Sequence, residues 1–352
     1  MYYLNDSSRV WHVAKTGNDG NSGHAGQYPV NLANDAKLTI GAAVSAASSG
    51  DTIIIWPGDY AEAVNIGAKE LSLTGTSRTK VRIVPASGFA LTIGSGCVIK
   101  NLSCVAASSI GISCSNATNV VIEDCYGEGP TDGLYMSQSN RKIRLIRSWF
   151  KSAWDGVNLN GCDEVFAEGC VFESTGGANA GSALKQPGGG IYRDCCFIAK
   201  ASAAAANHLA GMHIDSLASN QQIAVTNCKF TVEGYSYRTG LVSGIWANLA
   251  GVKVVADNCV FRTAGDTAAS IVDIRAGAGQ VVASGCAYNT IEGNVKVIDT
   301  PEILIKAAKM LLNKAEQNRL TGEIKYYDDD GATVILTHTP NENESTFTRM
   351  PS

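Results

Sequence analysis

The chain has 352 residues, 17% of them charged, with 37 glycines and a formal net charge of −4. Charge below the usual quarter and no dense Lys/Arg run exclude nucleic acid as a main partner. No uninterrupted apolar stretch reaches the length needed to span a membrane. The length allows one large domain or two ordinary ones, and abundant Gly, Ala, Ser, Val and Ile suit a closely packed β protein.

The opening, MYYLNDSSRVWHVAKTG, carries no basic-then-apolar leader, so folding in a reducing cytoplasm is expected. GNDGNSG at 17–23 is rich in Asp and Gly but lacks the calcium-loop pattern and its closing Glu; a turn is expected. Across 38–62, LTIGAAVSAASSGDTIIIWPGDYAE reads as a helix leading into a buried strand. Ile40, Ala43, Val44 and Ala47 share one helical face, and Gly50 stops the helix. TIIIW is the strand and PGDY a turn.

From there the chain repeats. Cys125, Ser148, Cys170, Cys195, Cys228, Cys259 and Cys286 fall in register, at intervals of 23, 22, 25, 33, 31 and 27 residues. Apolar residues stand five and three positions before most of them, as Val120 and Ile122 do before Cys125. An aromatic stands two positions after most, as Phe172 does after Cys170. Alternation predicts a strand with one buried face. A second row lies upstream: IGISC at 110–114, DGLYM at 132–136, DGVNL at 155–159, SALKQ at 182–186, AGMHI at 210–214, SGIWA at 243–247 and ASIVD at 269–273. A repeat of 20–30 residues holding at least two short strands and no helix predicts one coil of a parallel β-helix. Equivalent residues of successive coils then stack about 4.8 Å apart. The recurring thiols are expected to be packed small hydrophobes in a corner column. Zinc does not fit, because CxxC pairs and clustered histidines are missing; no metal site is expected. An open coil end exposes strand edges, and the 38–47 helix is the natural cap.

Between the inward residues of the second row sit Tyr135, Asn158, Lys185, His213 and Trp246. Their spacing predicts a single outward column. Two readings stay open: a plain solvated face, or a sugar site where aromatic faces meet rings and polar groups meet hydroxyls. Carboxylates near that face are Asp132, Asp155, Glu173 and Asp215. Asp155, Glu173 and Asp215 are the candidates for acid–base work on a glycosidic bond, which needs two carboxyls at a defined separation. Asp132 and Asp155 also fit turn capping before Gly. No catalytic motif is present, so enzymatic activity stays open.

TPEILIKAAKMLLNKAEQNRL, 300–320, predicts an amphipathic helix, with Pro301 near its start. GEIKYYDDDGATVILTHT predicts a hairpin about the DDDG turn, and NENESTFTRMPS a polar tail.

VAKTGNDGNSG at 13–23 and TIGAAVSAASSGDTIIIWPGDY at 39–60 resemble the opening of the right-handed parallel β-helix proteins of the pectin-lyase-like superfamily. The matching positions are Ala43-Val44, Ala47, Gly50-Asp51-Thr52-Ile53, Pro57-Gly58 and Tyr60. With the repeats, the resemblance covers about residues 11–298. It implies an all-β fold: a single-stranded right-handed parallel β-helix with an N-terminal capping helix and a small C-terminal helix–hairpin module. The expected division is an N-terminal segment 1–37, the β-helix 38–298 and the module 299–352. KMLLNKAEQNRLTGEIKYYDDDGATVILTHTP resembles a C-terminal module of bacteriophage structural proteins, tail-associated ones among them. Together the resemblances imply a tail fibre or tailspike-like virion component, assembled in the host cytoplasm as a homotrimer. Its expected partners are bacterial surface polysaccharide and other virion proteins, with no cofactor. Tyr135, Asn158, Lys185, His213 and Trp246 would contact the glycan. Two alternatives remain: a polysaccharide lyase or glycosidase, and a purely structural head or tail fibre without a glycan site. The superfamily's pectate lyases would require a calcium cluster of aspartates and an arginine base, which the sequence lacks.

Overall fold

The computed structural model describes residues 9–24, 30–137, 139–176, 181–185, 189–201, 208–215, 222–234, 241–265, 270–298, 315–317, 324–327 and 334–338. The chain divides into two compact units, residues 1–297 and 298–352.

The first unit is a parallel β-helix. Each full coil has three short strands, not only the two legible in the repeat. We call the three rows A, B and C. In one coil they are Asp132–Ser137 (A), Arg141–Ile146 (B) and Trp149–Ser152 (C). The next coil repeats them as Asp155–Asn158, Asp163–Glu168 and Val171–Ser174. Every strand pairs in parallel with its counterpart one coil on, as Ile143 does with Val165 and Phe150 with Phe172. Rows A and B form a sheet of 20 strands, and row C one of 9.

The aromatic after each cysteine belongs to row C, not to the strand before the cysteine. A corner separates them, and its cause is local. The residue before the corner position takes a left-handed conformation at Asn101, Asp124, Arg147, Gly169, Asp194, Asn227, Asn258 and Gly285, with φ between 45° and 62°. Asn, Asp and Gly reach that region at least cost, which explains their recurrence. The strand therefore ends there and restarts one residue after the cysteine. Phe150, Phe172, Phe197, Phe230 and Phe261 then stack inside row C, with ring centroids 4.5–6.3 Å apart.

The corner thiols do more than fill space. The backbone N–H of Cys195 donates to Cys228 Sγ at 3.3 Å, and Cys228 Sγ donates to the Thr226 carbonyl at 3.2 Å. Ser148 makes the same pair of bonds: Oγ accepts from the Cys125 N–H at 3.0 Å and donates to the Ile146 carbonyl at 2.9 Å. A side chain with both a donor and an acceptor satisfies a buried N–H that the sharp corner removes from the ladder. All eleven cysteines are free. Burial pushes the Cys125 thiol up to about 12, so it stays protonated and unreactive.

At the N-terminal end the helix Ile40–Ala46 covers the first coil with Ile40, Ala43 and Val44 buried. Thr39 caps it by accepting from the Ala42 N–H, and the Glu62 carboxylate takes the Ile40 and Gly41 N–H groups, both at 2.8 Å. A carboxylate at a helix N-terminus answers the orphan donors and the dipole together. Asp19, in the GNDGNSG turn, accepts from the Leu38 and Thr39 N–H groups.

In the second unit Ala315–Gln317, Ile324–Tyr327 and Val334–His338 form a small antiparallel sheet. The helix expected across 300–320 is thus corrected at Ala315–Gln317, where pairing with Ile324–Tyr327 overrides helical propensity. Residues 300–314, the DDDG turn and the polar tail lie outside the described residues.

Candidate glycan-binding face and its acid pair

Row A carries the site. Ser113, Tyr135, Asn158, Lys185, His213, Trp246 and Arg275 are successive register partners, one per coil. The column expected from the spacing is therefore present, and it gains a rung at each end. The residues before it in each strand, Leu134, Val157, Leu184, Met212 and Ile245, are fully buried and hold the strands to the core. Glycines place the strands. A Cβ on Gly133 would lie 2.5 Å from the Lys151 nitrogen, and one on Gly156 would lie 2.7 Å from the Glu173 nitrogen. Only Gly lets row A fold back this tightly on row C.

The column is not an open solvated face along its whole length. His213 is 1% exposed. Its ring stacks on Trp246 at 4.3 Å and meets His208 edge-on at 4.1 Å. Asp215 Oδ2 stands 3.5 Å from its Nε2. The expectation of His213 as a surface contact is corrected for that reason: it backs Trp246 from beneath. Burial, reinforced by His208, holds its pKa well below the ordinary histidine value against the pull of Asp215.

Asn158 Oδ1, Ser182 Oγ and Trp246 Nε1 on this face are buried and make no hydrogen bond among the described residues. Each unmet buried group costs about 1–3 kcal/mol. Buried polar groups ordinarily find a partner, so these atoms are candidates for contact with a ligand or with water.

The acids fall into three settings. Asp132 and Asp155 are register partners on adjacent rungs, both under a tenth exposed. Burial, then repulsion from Asp155, raises Asp132 to about 8. Burial raises Asp155 to about 6, against the attraction of Lys185, whose Nζ lies 3.6 Å from Asp155 Oδ2. Burial favours the neutral form of both acids, and their mutual repulsion opposes ionising them together. Asp155 also accepts from the Ser182 N–H at 3.0 Å, a bond to the next coil and not the local turn cap its DG context suggested. Glu173 lies on row C, where it accepts from Trp149 Nε1 at 3.0 Å. Asp215 is engaged with His213. The structure thus pairs Asp155 with Asp132, and not with Glu173 or Asp215. The signal was legible in the repeated DG at 132 and 155, one coil apart. Among the described residues no three His, Cys, Asp or Glu gather as a metal site.

No protein-family model and no curated protein sequence matches the chain. Solved structures with similar coordinates include a pectin methylesterase from carrot, at 14% identity and TM-score 0.47, over 84% of this chain and 89% of that one. Pectin methylesterase PemA from Erwinia chrysanthemi aligns at 13% identity and TM-score 0.45, over 84% of this chain and 94% of that one. ORF18 of Geobacillus virus E2 aligns at 14% identity and TM-score 0.41, over 73% of this chain and 56% of that one. None is similar enough for its chemistry to be carried across.

Proposed function

We propose that this chain binds an extended polysaccharide along row A, as the glycan-contacting part of a tail fibre or tailspike-like virion protein that acts as a homotrimer on bacterial surface polysaccharide. The observation that carries the glycan reading is the set of buried polar atoms without a hydrogen bond among the described residues at Asn158, Ser182 and Trp246. A ligand dense in hydroxyls, each donor and acceptor at once, answers such a mixed set better than an apolar or singly charged one. Tyr135 and Trp246 supply aromatic surface on the same column, and Lys185 and Asn158 supply polar contacts. The virion setting rests on the C-terminal residues, whose YYDDDGATVILTHTP resembles phage structural modules. Binding to purified capsule and lipopolysaccharide tests the reading. Trp246→Ala should weaken binding at least about tenfold, on the order of 1.4 kcal/mol. Unchanged binding in Trp246→Ala and Lys185→Ala would remove the site from row A.

A second reading, cleavage of the bound glycan, is favoured by one observation: a buried carboxyl pair of unequal pKa beside Lys185. One group that donates a proton while its neighbour accepts one is what glycosidic or ester cleavage asks for. Incubation with the same polysaccharides, followed by reducing-end and unsaturated-product assays, should give product that Asp155→Asn abolishes. Binding without product leaves the chain a binder only.

A further inference from the structure

We propose a second carbohydrate site, on the outer face of row C, that takes a single neutral pyranose. A groove of about 330 Å³ lies along Glu128–Pro130 and Lys151–Ala153. Its floor is small and apolar, from Val105, Ala106 and Pro130, and its polar edge is Glu128 and Lys151. Ser152 also lines it and is 3% exposed.

Two exposed indoles neighbour groove residues in the chain. Trp149 is 39% exposed and stands two residues before Lys151 on the same outward face; Trp154, 43% exposed, follows the groove residue Ala153. Trp149 is held in place. Trp149 Nε1 donates to Glu173 Oε2 at 3.0 Å, and its ring meets Tyr126 edge-on at 5.5 Å. Tyr126 is fixed in turn by its hydroxyl, which donates to Glu128 at 2.7 Å. An aromatic wall whose orientation is set before binding loses little entropy when a sugar face settles on it.

Charge narrows the ligand. Lys151 lies between Glu128 and Glu173 in register, one cation against two carboxylates. A uronate would meet that excess of negative charge. A neutral ring can give hydroxyl donors to Glu128 and accept from Lys151, with its apolar face on the indole or on Pro130. This face is distinct from the row A column and stands or falls apart from it.

Saturation-transfer NMR on the full chain tests the site, with glucose, galactose, mannose, N-acetylglucosamine and galacturonate presented separately. The expected result is transfer to at least one neutral sugar and none to galacturonate. Trp149→Ala and the isosteric Glu128→Gln should each cut that transfer by at least about threefold, with unfolding midpoints unchanged, while Trp246→Ala leaves it intact. Absence of transfer to every neutral sugar, preference for galacturonate, or transfer that survives both groove variants overturns the proposal. Transfer lost only in Trp246→Ala assigns the sugar to row A, which overturns this site and supports the other.

Discussion

At the residue scale, two side-chain positions carry consequences that burial alone would hide. The corner thiol is one. Its neighbours in the chain announced a small buried residue, and Ser148 in the same column was legible as a volume match. The hydrogen bonds were not legible, because the N–H that needs an acceptor belongs to the coil before. Cys228→Ala should cost about 1–3 kcal/mol by stranding the Cys195 N–H, whereas Cys228→Ser should lose less, as Ser148 already makes these bonds. Urea unfolding of the two variants checks this; equal losses would reduce the thiol to packing.

Asp132 is the other position. Its native pKa is raised to about 8 from an ordinary value of 3.8. A carboxyl raised in the fold contributes stability that is present below its unfolded value and lost as pH rises through its native value. The protein should therefore lose stability between about pH 4 and pH 8, on the order of 2–4 kcal/mol once water penetration is allowed for. Asp132→Asn should flatten that slope and melt higher than the parent at alkaline pH, with no gain at pH near 4. Thermal melts across the pH range test it; a parent whose stability rises over that window would contradict the buried, protonated state.

At the scale of the element, the coil was readable and its corners were not. Register in rows A and B follows from apolar alternation, so the column from Tyr135 to Trp246 could be read by counting. The spacing from the residue three before each cysteine to the aromatic two after it is odd, and a single strand cannot place both on one face. That mismatch, with Asn, Asp or Gly before most cysteines, was the sequence's own sign of a corner. Arg147 hides it in one coil, since it takes the same left-handed φ of 45° without the usual residue type. Arg147→Gly should relieve the strain, but it also removes bonds to Asp124 and Glu123 at 2.6–2.9 Å. In row C, Phe197 packs between Phe172 and Phe230 and is fully buried. Phe197→Ala should cost about 3–5 kcal/mol by chemical denaturation, and a cost under about 1 kcal/mol would mean the ring stack collapses without penalty. At the C-terminus, local periodicity pointed to a helix through residue 320. Antiparallel pairing of Ala315–Gln317 is non-local, and no pattern within those three residues could reveal it.

At the scale of the whole molecule, one long groove-free solenoid would be a sufficient explanation of the core, but not of what its surfaces carry. Row A presents buried polar atoms and a buried acid pair; row C presents an exposed indole at Trp149; the core is dominated by apolar side chains. A solenoid separates these tasks because each strand offers one side to the core and the other to a different face. The trimer we propose predicts a light-scattering mass three times that of the chain, and a monomer at all concentrations would remove it. The most direct test of the central claim is hydrogen exchange with an oligosaccharide selected on a bacterial glycan array by the native protein. Slowed exchange at Asp132–Ser137, Asp155–Asn158, Gly181–Lys185, Leu209–Ile214 and Leu241–Ala247 is the predicted footprint. Failure to capture any glycan, or protection confined to row B, would contradict it.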